Sequence, residues 1–402
     1  MTEALSDCPR GCSFFFPNLA RTRARGMART HYHTRARTWG GGAWRTHRFI
    51  TSAAERERVS RARLPQLVWL SLRLHALSRL PEYDVMASFG DQLELARRAA
   101  LSLDAHFSPV FGARWHALRD ALVQPVTHVA RLNKFACEER SRAQLPASAR
   151  AVEDLRPSAA FEVSGDEQFA PPQPVVGEQE LLGFYLMDGA SVFPALALDV
   201  RPGECVLDMC AAPGGKTLVL AEALFAAGEG GHLVANDCSA TRRRRLSRCM
   251  AEYLPPQHLA RVTISGRDAL DARWAREAAA SFDRILLDAP CSSDRHVLGD
   301  VHELACWSSR RIKENARRQE GLLLSALEMV RVGGRVVYST CALSAAENDG
   351  VVGRCLKRRP GRAKVVRPER VARGELTEHG IHILPDRGGW GPIYYAVLDR
   401  AA

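Results

Sequence analysis

Short apolar segments alternate with amphipathic helical segments along the second half of the chain. Five apolar segments are predicted to be strands: ECVLDMC, GHLVAND, RVTISG, DRILLDAP and GRVVYSTC. Helices are predicted to begin near Gly215, Ser239, Lys313 and Ser344. This alternation is typical of a doubly wound α/β domain, which we place at residues 178–402. Ligands of such domains bind at the carboxyl ends of the strands, where these segments end in polar or reactive residues.

The first half of the chain follows a different pattern. Apolar residues recur at three- and four-residue spacing in LPQLVWLSLRLHALSRL and in FGARWHALRDALVQPVTHVARLNKFA, where Pro125 interrupts the pattern. We therefore predict a smaller helical region over residues 53–143. Residues 144–177 lack periodicity and are rich in Pro, Ser, Ala and acidic residues, which predicts a linker.

Most of the net charge of +11 lies at the amino terminus. Residues 1–65 hold 13 Arg and 4 acidic residues, whereas the other 337 residues carry 43 basic and 41 acidic groups. No acid occurs between Asp7 and Glu55, where nine Arg are interleaved with Ala, Thr, His, Trp and Phe. This composition is typical of a mitochondrial presequence, so residues 1–52 are expected to be removed on import into the matrix, with Met27 as a second candidate start. A basic, disordered arm that contacts RNA is the alternative.

Cysteine usage and the lengths of apolar runs narrow the class of protein. The 11 cysteines include no Cys-x-x-Cys pair, which favours reduced thiols over a zinc ribbon or a disulfide framework. No uncharged apolar run reaches the roughly 18 residues that a transmembrane helix needs. We therefore expect neither a metal ion nor a membrane among the partners.

The loop after the first predicted strand, Asp208 to Thr217, reads DMCAAPGGKT. Its small residues and paired glycines allow the backbone to approach a ligand, and the next helix offers free N–H groups and the positive end of its dipole. We predict a cofactor loop. A phosphate-binding P-loop is the alternative, because the loop ends in Gly-Lys-Thr. Against it, Cys210 occupies the position of the first glycine, and Pro213 lacks an N–H group that such a loop needs.

Acidic residues follow the second and third predicted strands. Asp237 lies about twenty residues beyond the glycines, where a carboxylate can accept hydrogen bonds from both hydroxyls of a ribose. A helix cap formed by Asp237 or Ser239 explains the same residues equally well. Asp268, after the third strand, lies where the edge of an adenine could be read.

Two cysteines follow the fourth and fifth predicted strands, Cys291 in Asp288-Ala-Pro-Cys-Ser and Cys341 in Ser-Thr-Cys. A buried thiol is usually a small core residue, and two thiols that face one cleft indicate chemistry instead. Cys341 is expected to precede a helix, whose dipole would lower the thiol pKa and favour the nucleophilic thiolate. The structural interpretation is kept for Cys205, Cys210, Cys238, Cys249 and Cys355.

Basic clusters occur at residues 242–248, 310–318 and 357–364. Each cluster by itself is typical of a solvated helix face. Together, on an otherwise nearly neutral body, they could form the rim of a groove that contacts RNA phosphates.

Four motifs occur in a fixed order: DMCAAPGGKT, AND, LLDAPCSSDRH and YSTCALSAAEN. Together they resemble the RsmB/Sun (NSUN) family of RNA 5-methylcytosine methyltransferases, over roughly residues 180–400 and including the terminal WGPIYYAVL strand. YLMDGASVFPALAL and the preceding helical region are most similar to the mitochondrial members, which modify ribosomal RNA or a tRNA. PCSSDRH and FGARWHALRDAL slightly favour the ribosomal-RNA type, whereas ILPDRGGWGP favours the tRNA type, so both substrates stay open.

The resemblance implies a Rossmann-like class I methyltransferase domain that binds S-adenosylmethionine (AdoMet). It implies an AdoMet pocket lined by Cys210, Ala211, Ala212, Pro213, Gly214, Gly215 and Lys216. Asp237 and Arg242 would lie near the ribose, Asp268 near the adenine and Asp288 between cofactor and base. The segment SGRDALDARW departs from the compact Asp-Gly of the family, which shifts the expected adenine contact by a few residues.

The resemblance also implies that Cys341 is the nucleophile and that Cys291 assists product release. Cytosine C5 is a poor nucleophile, so a thiolate must first add to C6. The base must be unstacked or already single-stranded to reach the site. Besides the P-loop NTPase, the alternative is an RNA-binding ribosome assembly factor that keeps the fold without catalysis. A protein partner could direct the enzyme to its RNA, since no separate RNA-binding module is evident beyond the helical region.

Overall fold

The computed structural model describes residues 84–164, 167–175, 180–226, 230–367 and 373–402. The predicted presequence and the predicted helix in LPQLVWLSLRLHALSRL lie outside these residues. The strands are β1 (His128–Leu132), β2 (Arg150–Ala151), β3 (Ala160–Glu162), β4 (Phe184–Asp188), β5 (Cys205–Asp208), β6 (His232–Asn236), β7 (Val262–Ser265), β8 (Phe282–Asp288), β9 (Val330–Thr340), β10 (Ala363–Val366), β11 (Glu375–Leu376), β12 (Ile381–Ile383) and β13 (Ile393–Arg400). The helices are α1 (Asp84–Phe111), α2 (Trp115–Val123), α3 (Glu138–Arg142), α4 (Val192–Ala197), α5 (Gly215–Leu224), α6 (Ala240–Tyr253), α7 (Pro256–Leu259), α8 (Ala272–Glu277), α9 (Asp294–Gly299), α10 (Val301–Ala305), α11 (Ser309–Met329) and α12 (Asp349–Arg358).

The larger sheet of the described residues runs in the order β11-β12-β13-β9-β8-β5-β6-β7, and β10 also pairs with β13. Strands β5 to β9 are parallel, and β13 is antiparallel to β9. The five strands predicted from the sequence are therefore confirmed, and their carboxyl ends share one edge of the sheet. Within the described part of the chain, no helix is both long and apolar enough to cross a membrane.

Successive residues of the central strands face opposite sides of the sheet, as the pleat of a strand requires. Val206 of β5 and Val337 of β9 are fully buried in the apolar cluster on one side, which includes residues of α4 and α5. Leu207 and Tyr338, their chain neighbours, are fully buried in the cluster on the other side, together with residues of α11 and α12. Helices thus cover both faces, and the doubly wound α/β architecture is confirmed.

Two of the predicted helices begin where the sequence placed them, and two begin elsewhere. Helix α5 begins at Gly215, and α6 follows Ser239, whose Oγ accepts a hydrogen bond from the Arg242 amide. Helix α11 begins at Ser309, because Ser308 caps it, four residues before the predicted start. The helix expected near Ser344 begins only at Asp349, after a non-helical segment.

A second sheet in the described residues is antiparallel, in the order β2-β3-β1-β4, and it corrects the description of the first half of the chain. The segment THVARL, predicted as helix, is strand β1, and four of its five residues are buried. Residues 144–177, predicted as a linker, contribute β2 and β3, with Phe161 buried. Because β4 completes this sheet, the sheet crosses the predicted boundary at residue 178.

Polar contacts connect this second sheet to the part of the chain that forms the larger sheet. Arg131 of β1 and Glu222 of α5 form an ion pair, with 2.5 Å between Nη1 and Oε1, and their side chains are 1% and 4% exposed. Asn133, directly after β1, donates hydrogen bonds through Nδ2 to the carbonyl oxygens of Leu182 and Tyr253. A break in either contact would leave polar groups buried without partners.

Candidate active site

The glycine loop lies between β5 and α5 and is packed too closely for larger residues at two positions. Gly214 has a φ of 120°, and a Cβ there would lie 2.9 Å from the Cys249 Sγ. A Cβ on Gly215 would lie 2.8 Å from the ring of Tyr185. Backbone conformation and close contacts therefore both require glycine at position 214.

Asp208 ends β5 and is buried under this loop, at 1% exposure. Its Oδ2 accepts a hydrogen bond from Thr217 Oγ1 at 2.7 Å, whereas its Oδ1 has no hydrogen-bond partner within the described residues. Burial raises the pKa of Asp208 to about 7, against the opposite effect of the Thr217 hydrogen bond. The carboxyl group thus joins the strand end to the first turn of α5.

Asn236, the last residue of β6, holds neighbouring strand ends together. Its Nδ2 donates to the carbonyl oxygens of Met209 and Arg267, and its Oδ1 accepts from the Arg267 amide. The sequence predicted no role for Asn236, although it is part of the quoted Ala-Asn-Asp motif. The Asn236 side chain thus links the loop after β5, at Met209, to the loop after β7, at Arg267.

Asp237 is buried at 2% exposure, and its two oxygens have different surroundings. Oδ1 accepts from the Ser239 amide, whereas Oδ2 lies 3.4 Å from Arg242 Nε and makes no hydrogen bond within the described residues. Arg242 also donates through Nη2 to the Ala212 carbonyl of the glycine loop at 2.6 Å. Ser239 is the helix cap, so a buried oxygen of Asp237 is left for another donor.

Asp268 lies on the loop after β7 and is exposed. Its Oδ1 accepts a hydrogen bond from the Leu270 amide, which forms a local turn. The preceding residue, Arg267, is bound to Asn236 through its backbone. Asp268 is therefore on the same edge of the sheet as Asp237, one strand farther from the cysteines.

Asp288, at the end of β8, connects the glycine loop to the end of β9. Its Oδ2 lies 2.7 Å from the Lys216 Nζ, and its Oδ1 accepts a hydrogen bond from Ser339 Oγ at 2.6 Å. Burial acts to lower the pKa of Lys216, but attraction to Asp288 outweighs it and the pKa is raised. Lys216 is therefore a cation held between the glycine loop and the cysteines.

Cys291 and Cys341 meet at this point, with 3.1 Å between their Sγ atoms. Ser293 Oγ lies 3.6 Å from the Cys341 Sγ and 3.8 Å from the Cys291 Sγ. Both thiols are half-buried and unoxidised. The structure thus brings the two predicted cysteines together beside Asp288, as the order of the strands suggested.

The two thiols differ in their pKa values. The hydrogen bond from Cys291 is the main cause that lowers the pKa of Cys341, and Ser293 and Lys216 act in the same direction against burial and Asp288. The same hydrogen bond and burial raise the pKa of Cys291 well above its usual value. A helix dipole was the wrong explanation for Cys341, because the next helix begins eight residues later, at Asp349. Cys341 is therefore the thiol favoured as thiolate.

The basic clusters lie on the exposed faces of α6, α11 and α12, in the turn after α12 and at Lys364 of β10, and several of their members are paired. Arg248 contacts Glu252, and Arg310 contacts Glu314, at helical i,i+4 spacing. Arg358 contacts Glu320 of the neighbouring α11. The clusters are thus partly neutralised helix faces, and a joint phosphate-contacting rim stays a prediction.

A protein-family model described as 16S rRNA methyltransferase RsmB/F matches residues 195–399, which include β5 to β9 and both cysteines. The chain belongs to the RsmB/F family. It is therefore an AdoMet-dependent RNA cytosine-C5 methyltransferase. The P-loop alternative is wrong, because the match to this methyltransferase family includes the glycine loop.

Curated relatives of this RsmB/F protein include enzymes for two kinds of RNA. The 5-cytosine rRNA methyltransferase NSUN4 of Bos taurus is 34% identical over 66% of this chain and 76% of its own length. The mitochondrial tRNA (cytosine(34)-C(5))-methyltransferase of Danio rerio is 32% identical over 77% of this chain and 89% of its own length. The two relatives are about equally identical to this chain, so they do not decide whether its substrate is ribosomal RNA or tRNA.

Solved structures share the fold of this RsmB/F protein. NSun6 from Pyrococcus horikoshii with SFG, an AdoMet analogue, superposes with a TM-score of 0.58 at 20% identity, over 75% of this chain and 98% of the other. A methyltransferase homologue from the same organism gives 0.58 at 24% identity, over 78% of this chain and 99% of the other. The Rossmann-like methyltransferase fold is confirmed.

The edge of the sheet has groups that suit AdoMet. Asp237 keeps a buried carboxylate oxygen without a hydrogen bond in the described residues, and the hydroxyls of a ribose are donors. Gly214 keeps side-chain atoms out of the turn that precedes α5. The residues present therefore fit the cofactor of the family.

Proposed function

We propose that this RsmB/F enzyme methylates cytosine in mitochondrial RNA, ribosomal RNA in the first place, through a transient bond between Cys341 and C6 of the base. The observation that supports the covalent route best is the Sγ–Sγ distance of 3.1 Å between Cys341 and Cys291, with the Asp288–Lys216 pair alongside. A thiol that only fills the core needs no such partners. A methyl transfer without covalent attack would need no thiolate.

Cys341 begins the proposed reaction as a thiolate that accepts the hydrogen bond of the Cys291 thiol. Its electron pair forms the S–C6 bond, and the ring electrons move toward N3 and C5. Asp288, whose carboxylate is held by Lys216 and Ser339, accepts a hydrogen bond from the N4 amino group of the base, and the Lys216 cation beside it offsets the negative charge that develops on the ring. Bound AdoMet supplies the methyl group to C5.

Cys291 completes the proposed turnover as the base. Once the Cys341 sulfur is bonded to carbon, it no longer accepts a strong hydrogen bond, so the main cause of the raised Cys291 pKa is removed. The Cys291 proton can then leave to solvent, and its thiolate can take the proton from C5. The C5 electrons re-form the double bond as the S–C6 bond breaks and Cys341 leaves as thiolate.

The cofactor is proposed to occupy the loop edge beside Gly214. Gly214, Gly215 and the backbone of residues 210–213 would line its methionine part, with Lys216 between this part and the base. Asp237 would accept hydrogen bonds from the ribose, with Arg242 holding the loop in place through Ala212. The exposed Asp268 would lie at the adenine end.

Gly214→Ala is expected to weaken AdoMet binding by about 10-fold or more, since the new Cβ would push against Cys249 or move the loop. Isothermal titration with AdoMet measures this directly. Gly203→Ala is the matched control: Gly203 has a φ of 85° and open space around its Cβ position, at the other end of β5. The control should lose stability and keep its affinity for AdoMet. Equal affinities in both variants would contradict the proposed pocket.

A mitochondrial setting is supported by the Arg-rich, acid-poor segment before residue 53 and by the similarity to the mitochondrial tRNA methyltransferase of Danio rerio. Residues 1–52 are proposed as the presequence, the matrix as the location, and support of mitochondrial ribosome assembly and translation as the role. A protein partner that directs the enzyme to its RNA is compatible with this setting.

Bisulfite sequencing of organellar RNA from cells with and without this protein tests the substrate. We expect a specific cytosine in ribosomal RNA to lose its protection when the protein is removed. Loss at a tRNA cytosine alone would replace the ribosomal substrate by the tRNA. Unchanged organellar RNA, together with loss of methylation elsewhere, would contradict the mitochondrial proposal.

A further inference from the structure

Two buried carboxyl groups, Asp294 and Glu347, lie in the loops that carry Cys291 (residues 290–294) and Cys341 (residues 339–348). Neither group forms a hydrogen bond with a cysteine sulfur of the described residues. We propose that Asp294 and Glu347 are positioning residues that set the separation of Cys291 and Cys341, by binding the loop of one cysteine to the loop of the other. The proposal rests on the roles proposed above for the two cysteines. Its evidence is the pattern of hydrogen bonds between residues 290–294 and 339–348.

Asp294 bridges the two loops through one oxygen. Its Oδ2 accepts hydrogen bonds from Ser292 Oγ and from the Leu343 amide, both at 2.8 Å. Ser292 follows Cys291 directly, and Leu343 lies two residues after Cys341. The side chain of Asp294 is fully buried, so water does not compete for these donors.

Glu347 makes a second bridge from the side of the Cys341 segment. Its Oε1 accepts from the Ser292 amide at 3.0 Å and from Gln319 Nε2 at 2.9 Å. Gln319, on α11, also donates to the Pro290 carbonyl, directly before Cys291. Ser292 is thus held by Glu347 through its backbone and by Asp294 through its side chain.

A separate set of bonds shapes the Cys341 turn itself. Asn348 Nδ2 donates to the Ala342 carbonyl at 2.9 Å, and Asn348 Oδ1 accepts from Thr340 Oγ1. These bonds stay within one segment, so they cannot fix the distance to Cys291. Apart from the contacts of the Cys341 sulfur with Cys291 and Ser293, the hydrogen bonds between the two cysteine loops in the described residues are those of Asp294, Glu347 and Gln319.

Burial of two carboxyl groups costs free energy, so stabilisation of the loops alone is a poor explanation for them. In each group one oxygen accepts two hydrogen bonds, while the other, Asp294 Oδ1 or Glu347 Oε2, has no hydrogen-bond partner within the described residues. Burial raises the pKa of both groups, which favours the neutral acid. An amide is the nearest substitute for a neutral acid, so Asn and Gln should keep the accepting oxygen and the spacing.

Asp294→Ala removes one bridge, and its effect can be measured without any methyl transfer. The pH dependence of Cys341 alkylation by iodoacetamide, followed by mass spectrometry of the Cys341 peptide in the full chain, reports the pKa of this thiol. Cys291, Ser293, Asp288 and Lys216 are the groups that face it. Loss of the Cys291 hydrogen bond should raise that pKa by about one pH unit. The kcat should fall about 100-fold, the scale of a 1 Å misplacement, with AdoMet affinity unchanged.

Asp294→Asn should keep the wild-type alkylation profile and most of the kcat. Glu347→Ala should shift the profile and lower kcat as Asp294→Ala does, and Glu347→Gln should keep both as Asp294→Asn does. Asp283→Ala is the matched control, because Asp283 accepts a hydrogen bond from the Cys205 amide at the far end of β8. The control should lose stability and keep the wild-type profile at Cys341.

Ser292→Ala provides the test if Asp294→Ala does not fold, because it removes only the Oγ donor and keeps the Leu343 bond. We expect the Cys341 profile to shift in the same direction and kcat to fall about 10-fold. Folded Asp294→Ala or Ser292→Ala protein with the wild-type profile would overturn the positioning role. Retained activity in a Cys341 variant would instead overturn the proposed nucleophile, and the alkylation profile would still decide the role of Asp294.

Discussion

Cys341→Ala is expected to lower methyl transfer to cytosine at least about 1000-fold, on the scale seen when other enzymes lose a covalent nucleophile. Of the other described groups near the Asp288 carboxylate, Cys291 keeps a pKa raised by burial even without the Cys341 sulfur, and the Ser293 hydroxyl is a far weaker nucleophile, so neither replaces Cys341 in the bond to C6. AdoMet affinity should stay at the wild-type value, since the proposed pocket lies around Gly214 and Asp237. Single-turnover transfer of a labelled methyl group, together with titration of AdoMet, measures both quantities.

Cys306→Ala is the matched control, since Cys306 is an exposed cysteine away from both loops. It should keep full activity. Substantial methyl transfer by the Cys341 variant would contradict the covalent route. Rescue of a deletion strain by an inactive Cys341→Ala protein would favour the alternative, in which the protein assists ribosome assembly by contact alone.

Cys291→Ala is expected to accumulate a covalent RNA adduct. The variant keeps the Cys341 sulfur, so the S–C6 bond can form and C5 can be methylated. Without the Cys291 thiolate, the C5 proton is removed slowly and the S–C6 bond persists. The adduct should be visible as an RNA band that migrates more slowly on a denaturing gel and disappears after protease treatment.

The double variant Cys291→Ala/Cys341→Ala should form no adduct, which assigns the bond to Cys341. Loss of the Cys291 hydrogen bond should also raise the pKa of Cys341, so adduct formation should slow below neutral pH and recover as pH rises. A Cys291 variant that turns over normally without adduct would show that another group removes the C5 proton.

The sequence predicted the sheet edge well because two kinds of signal agreed there. Strands β5, β6, β8 and β9 are apolar runs that end at or directly before Asp208, Asp237, Asp288 and Cys341, and such runs are easily separated from the helices between them. The topology then brings these ends together without further information. The pairing of Cys291 with Cys341 could therefore be anticipated from the order of elements alone.

The small antiparallel sheet could not be read from the pattern in the same way. Strand β1 is central and covered on both faces, so Val129 to Leu132 show no alternation, and Arg131 appears polar although it is buried. Strands β2 and β3 have two and three residues, which is too short for a period to be visible. Their pairing depends on contacts distant in sequence.

The roles of Asp294, Glu347 and Asn236 were equally hidden. Asp294 and Glu347 stand in the quoted motifs CSSDRH and SAAEN, yet a carboxyl group in a motif indicates chemistry as readily as support. That Ser292 lies between them depends on the folded arrangement of the two loops, which no sequence pattern indicates. The cause that lowers the Cys341 pKa also depends on a neighbour fifty residues away, which a local helix-dipole argument cannot supply.

The ion pair between Arg131 and Glu222 limits how far this enzyme can be shortened from its amino terminus. A chain cut at residue 178 would leave the Glu222 carboxylate on the helix behind the glycine loop without its counter-ion, and β4 without its neighbour β1. Removal of one partner from such a pair costs about 3–5 kcal/mol, a large part of the stability of an ordinary domain. We therefore expect residues 178–402 to be unstable by themselves, and changes in β1, distant from both cysteines, to affect the helix that follows the glycine loop.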